Sequence, residues 1–432
     1  MKSRNVQWQL NTKMLPVLFG AVFILQIISP YRGWETLLIG LGGAWLLSTF
    51  WAWQLSRHLR IKREMRFGWA QVGDRLVERF TLINESRFPA LWIEIRDYST
   101  LPDYEASRGT GIGSRNFIRW HKEATCTRRG LFYLGSLDLR TGDPLGIYNI
   151  TIPYAQKMPL LVLPPIVPLP TIDIAPGGRT GSGPLRSNPV NRTVNASSVR
   201  EYAPNDSRRW IHWKTSARRD ELFVRTFDGT PSGDWWILLD LNSSVQVGEG
   251  EDSTQELGVI LAASLADRGL RAKRSVGLMA HGEELQWLPP RSGEGQRWEI
   301  LRTLATVSVG KRSLSELLHR VQRTIGHNTS VIIITPSTDP SWAENLIALQ
   351  RHGAVPTVLL LDPVSFGGTG RTGPLETSLT QMGISHKTIT RDLLDQPEAR
   401  PGKQGDWEWR ILGTGKAIPV RRATEESWRV LV

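Results

Sequence analysis

Two uncharged apolar runs near the N-terminus limit what this chain can fold into more than any other feature. Met14–Ser29 reads MLPVLFGAVFILQIIS and Thr36–Leu55 reads TLLIGLGGAWLLSTFWAWQL, with only the turn-like PYRGWE between them. A helix crossing a bilayer needs about 17–25 mostly apolar residues. The second run meets that length and the first lies at its lower limit. A cleaved signal peptide would end in a small-residue site, and none separates the runs. The pattern predicts a short tail over 1–13 and a two-helix transmembrane hairpin over 14–55. Lys2, Arg4 and Lys13 precede the first run, and Arg57, Arg60, Lys62 and Arg63 follow the second. The turn carries only Arg32, beside Glu35. Positive flanks mark the inner side, so the expectation is a multi-pass protein of the inner (plasma) membrane with its soluble portions in the cytoplasm. Trp51 and Trp53 then fall at the inner boundary, where an aromatic belt belongs.

The remaining length suffices for two more domains. A composition of 40% hydrophobic and 22% charged residues excludes global disorder. A single cysteine, Cys126, excludes an internal disulfide and a cysteine-based zinc site. With 53 basic and 41 acidic residues the formal charge is +12. That surplus suits anionic lipid, nucleic acid or an acidic partner without choosing among them.

Over 56–170, stretches such as DRLVERFTLIN, ALWIEIRDYS and GLFYLGSLDLRTGDPLGIY read as strands broken by turn residues. They predict a small β-sandwich, with TGDPLG as a turn at a strand end. Residues 171–199 are poor in apolar side chains and read as a linker. Over 231–395, buried strands such as WWILLDL, SVIIIT and PTVLLLD alternate with helical stripes. TQELGVILAASLADRG is one such helix, with Gly269 as its expected stop. The alternation predicts a doubly wound α/β domain with a mostly parallel sheet. Residues 396–432 read as a C-terminal extension.

Ligands of such sheets bind beyond the carboxyl ends of the strands. WWILLD ends in Asp240, with Asn242 and Ser244 just beyond it, and after SVIIIT come Ser337 and Asp339, with Thr335 at the strand end itself. A hard cation takes about six oxygens, several from water in the case of magnesium. The candidate metal ligands are Asp240, Asn242, Ser244 and Asp339, with magnesium as the candidate ion. The arrangement resembles the von Willebrand factor A fold and its metal-ion-dependent adhesion site. That site uses Asp-x-Ser-x-Ser, a threonine and a further aspartate. Asn242 stands in place of the first serine here, and Asp339 lies beyond the strand tip. The competing expectation is a strand-end turn that caps the next helix. In GGTGRTG, Gly367–Gly373, the residues DPVSFG separate the strand from the first glycine, so the segment reads as a flexible insert and not a nucleotide loop. VGKRS, around Gly310, lacks the upstream glycine of a phosphate loop. No Ser/His/Asp or His-x-x-x-His arrangement is present in the sequence, and no catalytic residue is assigned.

Residues 200–230 contain REYAPNDSRRWIHWKTSARRDELFVRTF. Asp206 is expected to cap a short helix on which Trp210, Trp213 and Ala217 share a buried face. Basic residues beside tryptophans suit nucleic acid. Glu201, Asp206, Asp220, Glu221 and Asp228 interleave with them, however, and favour internal ion pairs. Arg200, Tyr202, Asp206, Arg208, Ile211, Trp213, Ser216, Ala217, Arg218, Leu222, Val224 and Phe227 resemble the signature of domain-of-unknown-function family 58. NESRFPALWIEIRD, GDPLG and the A-like half follow the order of that family. Its members typically stand beside MoxR-type AAA+ ATPases, some beside transglutaminase-like membrane proteins, and no enzymatic activity is established for it. The resemblance implies a non-enzymatic, membrane-anchored adaptor whose A-like domain binds protein partners, with a MoxR-type ATPase and membrane protein clients in envelope complex assembly. Arg200, Tyr202, Asp206, Arg208, Trp213, Lys214, Ala217 and Arg218 are expected to join the two halves or to face a partner. Two rival expectations are a metal-dependent membrane-bound hydrolase using Asp240 and Asp339, and a protein binding anionic lipid or nucleic acid.

Overall fold

The two N-terminal apolar runs become helices, and the chain beyond them alternates between strands and helices, giving a mixed α and β protein with several sheets. The computed structural model describes residues 6–65, 68–167, 169, 172–175, 196–201, 211–219, 221–227, 234–322, 324–325, 329–394, 408–411, 417–420 and 429–430. The chain divides into two units. One comprises Met1–Pro168, Leu301–Val307 and Leu394–Val432, and the other Leu169–Ile300 and Ser308–Leu393.

In the first unit, β1 (Gln7–Leu10) leads into α1 (Met14–Ile28) and α2 (Arg32–His58). α1 has 15 residues, fewer than a full span needs, whereas α2 has 27 and is long and apolar enough to cross a membrane. α2 does not stop at residue 55. It runs to His58 and passes directly into β2 (Leu59–Met65), because Ala52, Leu55 and Leu59 all belong to the core of the following sheets. Polar contacts fix the same face of the helix: Trp45 Nε1 donates to Tyr148 Oη (2.8 Å) and Trp51 Nε1 to the Pro89 carbonyl (3.1 Å).

The strands that follow are β3 (Trp69–Gln71), β4 (Arg75–Asn84), β5 (Ala90–Asp97), β6 (Arg108–Ile112), β7 (Asn116–Thr125), β8 (Gly130–Gly142) and β9 (Tyr148–Leu163). One sheet has the order β1-β9-β8-β5-β6, with β3 added to β9. The other runs β2-β4-β7, and β22 (Arg429–Val430) pairs with β2. The C-terminal extension therefore returns as an edge strand of the first unit. Inward residues of the two sheets, among them Ile61, Phe80, Leu82, Ile93, Leu139 and Ile150, form one hydrophobic cluster.

Arg63 is not the free flanking charge its position suggested. The period-2 alternation of β2 points it inward with Leu59, Ile61 and Met65, and it is fully buried. Its guanidinium donates to both oxygens of Glu78 (2.9 and 2.8 Å) and to Asp97 Oδ1 (2.6 Å).

In the second unit, β10 (Ala196–Glu201) and β11 (Phe223–Phe227) pair antiparallel around α3 (Trp213–Arg219). Next come β12 (Trp235–Asp240), the short pair β13 (Gly248–Glu249) and β14 (Asp252–Ser253), and α4 (Thr254–Arg271). They are followed by β15 (Val276–His281), β16 (Leu285–Arg291), α5 (Glu294–Thr306), whose residues from Leu301 onward belong to the first unit, α6 (Leu314–Gln322), β17 (Ser330–Thr335), α7 (Glu344–Arg351), β18 (Val355–Leu361), α8 (Gly373–Gln381) and β19 (Ser385–Ile389). β20 (Glu408–Ile411) and β21 (Ala417–Val420) form a separate antiparallel pair in the C-terminal extension. The main sheet has the order β16-β15-β12-β17-β18-β19, parallel throughout except for β16 at one edge. β12, β15 and β17 are buried along their whole length, as continuous apolar runs in a covered parallel sheet require.

Ser253 caps α4 by accepting from the Glu256 amide (3.3 Å), one half of a Ser-x-x-Glu capping arrangement. Gly269 does not stop this helix, which continues to Arg271. A Cβ at Gly269 would meet the Trp235 ring at 2.7 Å and Val276 at 2.8 Å, so the glycine permits close packing of the helix on β12 and β15.

Candidate functional site

Register builds the site at the carboxyl ends of the central strands. Trp236, Leu238 and Asp240 of β12 lie beside Gly277, Met279 and His281 of β15. On the other side lie Val331 and Ile333 of β17, and Thr335 follows as the last residue of that strand. Side chains two residues apart share a face. The apolar members of these rows, Trp236, Leu238, Met279, Val331 and Ile333, belong to one core. Each row ends in a polar residue, so Asp240, His281 and Thr335 stand together at the edge of that core.

Asp240 is buried and held on both oxygens. Thr335 Oγ1 donates to Oδ2 (2.7 Å) and the Asn242 amide to Oδ1 (3.1 Å). Thr335 Oγ1 in turn accepts from the Ser337 amide (3.0 Å), and Gln246 Nε2 donates to the Asp240 carbonyl (2.9 Å). Asn242 Oδ1 accepts from both the amide (3.1 Å) and the hydroxyl (3.0 Å) of Ser244, closing a local turn whose Ser243 and Ser244 are exposed. Asp339 sits elsewhere in the pattern. It is exposed and caps the turn Pro340–Ala343, accepting from the amide (3.0 Å) and hydroxyl (2.6 Å) of Ser341. These bonds, the hydroxyl's first, hold its carboxyl below the usual range.

Burial pushes the Asp240 carboxyl above its usual range, against the opposing pull of Thr335 and the Asn242 amide. A raised folded pKa means that the folded protein binds the proton more tightly than the unfolded chain. Stability from this group is therefore present at low pH. It is lost as pH rises from about 4, the unfolded value, through the folded one. Asp240→Asn does not titrate, so its stability relative to wild type is expected to increase over that window and then level off. Thermal unfolding of both proteins between acidic and neutral pH checks this, and a difference that stays constant with pH contradicts it.

Two further contributors lie outside the residues singled out above. His281 is the last residue of β15. The residue is 8% exposed, and its Nδ1 has no hydrogen-bond partner among the described residues. Burial lowers its pKa, Glu316 opposes, and Arg320 and Arg312 add to the lowering, so the neutral imidazole is favoured. The second contributor is the backbone at Gly310. Its amide donates to the Leu241 carbonyl (2.9 Å) and its carbonyl accepts from the Ser243 amide (2.7 Å). The segment that fails as a phosphate loop thus braces the Asp240 turn. The Gly367–Gly373 segment is also packed: Cβ atoms built at Gly368 and Gly370 would meet Val247 and Thr338, neighbours of the two strand-end loops, at 3.0–3.1 Å.

Among the described residues, no group of three His, Cys, Asp or Glu is placed to hold a metal. Oxygen donors at the strand ends come from Asp240, Asn242, Ser244 and Thr335, and only the first is charged. That set suits a hard, largely hydrated cation and does not suit zinc.

In the signature segment, Arg200 lies on β10 opposite Val224, while Tyr202, Asp206, Arg208 and Trp210 lie outside the described residues. Trp213 is 68% exposed, which corrects the expected buried face. The inward residues are Ile211, which bridges to Val224, and Ser216, whose hydroxyl accepts from the Phe223 amide (2.9 Å). Lys214, Ala217 and Arg218 are exposed, and Trp213 and Ala217 line a groove with Ser216, Glu221 and Leu222.

Residues 198–366 match the family model described as "Protein of unknown function DUF58". "Uncharacterized protein YeaD" of Bacillus subtilis is 28% identical over 260 residues, 58% of this chain and 62% of that protein. "Uncharacterized protein Rv1480" of Mycobacterium tuberculosis is 26% identical over 170 residues, 38% of this chain and 54% of that protein. The chain thus spans less than two thirds of these curated relatives. These matches support the DUF58 family. Among solved structures, proximal thread matrix protein 1 from the mussel byssus aligns with 38% of this chain and 43% of its own at 12% identity, with a TM-score of 0.27. A score that low carries no argument about the fold.

Proposed function

We propose that this chain is a non-enzymatic, membrane-anchored binding protein that presents the Asp240 strand end to a protein partner. The observation carrying this reading is the 2.7 Å hydrogen bond from Thr335 to Asp240. It ties the ends of two adjacent central strands beneath an exposed serine-bearing turn. The sheet order, with one antiparallel edge strand, supports a von Willebrand factor A-like unit. A magnesium ion would be held by Asp240 and by the hydroxyl or amide oxygens of Asn242, Ser244 and Thr335. With one protein carboxylate, the ion would take a second from the partner, so that binding and metal uptake depend on each other. The hairpin anchors the protein in the inner membrane, with the positive flanks and both soluble units in the cytoplasm. A MoxR-type AAA+ ATPase as partner, in service of envelope complex assembly, rests on family analogy.

The test is recovery of tagged protein from gently solubilised native membranes, followed by mass spectrometry. An AAA+ ATPase is expected to accompany the wild type in magnesium. It should be lost from Asp240→Ala at equal protein level. Equal recovery with both proteins contradicts the reading. A second reading, a metal-dependent hydrolase, draws on the neutral His281 as a general base. Phosphate-ester or peptide hydrolysis that disappears in His281→Ala, with partner capture intact, would favour it.

A further inference from the structure

We propose that the hairpin end of the β-sandwich is itself set into the cytoplasmic leaflet. It does not stand clear of the bilayer on a stalk. The proposal rests on the anchored reading above and adds a lipid-binding surface to it.

Helix length makes the first argument. At 1.5 Å per residue, the 15 residues of α1 reach about 22 Å. α2 runs free of the sandwich from Arg32 to Ala44, about 20 Å, before Trp45 meets Tyr148. A hydrocarbon core is about 30 Å thick. The hairpin can cross it only if the next turns of α2 lie in lipid too. Those turns show two faces. Leu46, Leu47 and Phe50 are exposed, while Ser48, Ala52 and Leu55 are buried. The depth that completes the crossing is therefore the depth at which the sandwich rim begins.

That rim is apolar. β1, β9, β8 and β5 end side by side, with Leu10 opposite Tyr148 and Ile93 opposite Thr141. Along this edge Trp8, Leu10, Leu91, Trp92 and Leu145 are exposed, Leu91 at 60% and Leu145 at 56%. Phe88 joins the rim to the helix, stacking on Trp51 at 4.4 Å and meeting Phe50 edge-on at 5.7 Å. The lipid-facing stripe of α2 is thus continuous with the rim. Contiguous apolar surface of this kind marks an interaction face.

The TGDPLG turn is built for this placement. Buried Asp143 accepts from the Leu145 amide (2.9 Å) and the Tyr148 amide (2.6 Å). The Gly146 carbonyl accepts from Asn11 Nδ2 and Thr12 Oγ1, both at 3.2 Å. Those residues lie immediately before α1. A rigid turn therefore holds one leucine at its apex, beside the point where the chain enters the hairpin. Interfacial segments bury apolar side chains roughly 5–10 Å into the headgroup and acyl boundary, a depth that matches the shortfall in the hairpin.

The native cysteine leaves this open to test. Cys126 is wholly buried, and burial with Asp74 nearby pushes its thiol up to about 12, so it stays unreactive in the folded protein. The full chain carrying Leu145→Cys is labelled with an environment-sensitive fluorophore and reconstituted into phosphatidylcholine–phosphatidylglycerol vesicles, with or without brominated acyl chains. A second protein carries Leu131→Cys, exposed at the start of β8 and so at the end of the same unit away from the rim. Flotation with the vesicles first establishes anchoring. The label at 145 is then expected to lose most of its emission to bromine, and the label at 131 to keep it. A chain that floats without quenching at 145, because water or a second copy covers the rim, overturns the proposal and leaves the anchor standing. A chain that does not float overturns both.

Discussion

Arg63→Ala is expected to lower the stability of the β-sandwich by roughly 3–5 kcal/mol, the cost of breaking a buried ion pair from one side. Arg63 meets Glu78 and Asp97 with side chains that are all but inaccessible to water. Ser99 accepts another of its hydrogen bonds at 3.0 Å, and the Tyr104 hydroxyl donates to Glu78. Burial alone would lower the Arg63 pKa, but hydrogen bonding and attraction from Glu78 and attraction from Asp97 outweigh it, and the group stays charged. Removing the guanidinium leaves two buried carboxylates without their cation. The Phe80 ring, 5.1 Å from the guanidinium carbon, loses its neighbour as well. Lysine should not rescue the site, because a single ammonium cannot bridge two carboxylates in the planar geometry of a guanidinium. Urea unfolding of the detergent-solubilised proteins measures the loss, and a change below about 1 kcal/mol, the scale of a surface pair, would count against this account of the core.

Gly310→Ala is the second large effect, and it bears on the candidate site. A Cβ there would overlap the Gly282 carbonyl and approach the Glu283 amide at 2.6 Å. These neighbours are backbone, so no side chain can swing aside. Overpacking of this kind costs about 1–3 kcal/mol. Gly310 also carries both hydrogen bonds that brace Leu241 and Ser243. The variant is expected to lose hydrogen-exchange protection at the Ser243 amide and to lose partner capture while remaining folded elsewhere. Gly295→Ala is the control, since nothing lies within 4 Å of its added Cβ. Similar protection in both variants would show that the Ser308–Gly310 segment does not brace the turn.

Uncharged apolar runs made the N-terminal helices legible, and apolar patterning did the same for the alternating strands and the parallel sheet, because burial writes its period into the sequence. Charge was misleading at Arg63, which looks like a membrane flank until its carboxylates arrive from β4 and β5. The end of α2 was also hidden: Trp45, Trp51 and Leu55 are equally suited to lipid and to a protein core. Asp240 and Thr335 were both visible as strand-end oxygens, yet only strand order and register bring them within 2.7 Å. His281 joins them by the same register, which no local pattern records. Trp213 failed in the opposite sense, since a helical stripe shows which residues share a face without showing whether anything covers it.

The most direct measurement is photo-crosslinking from the Asp240 turn in native membranes. A photoreactive residue replaces exposed Ser243, and a control replaces exposed His352, which precedes β18 at the opposite end of the strands. A binding face at the strand ends predicts that position 243 captures the partner proposed above, that position 352 does not, and that Asp240→Ala abolishes capture. Equal capture from both positions, or capture from 243 that survives Asp240→Ala, would contradict a partner site centred on Asp240.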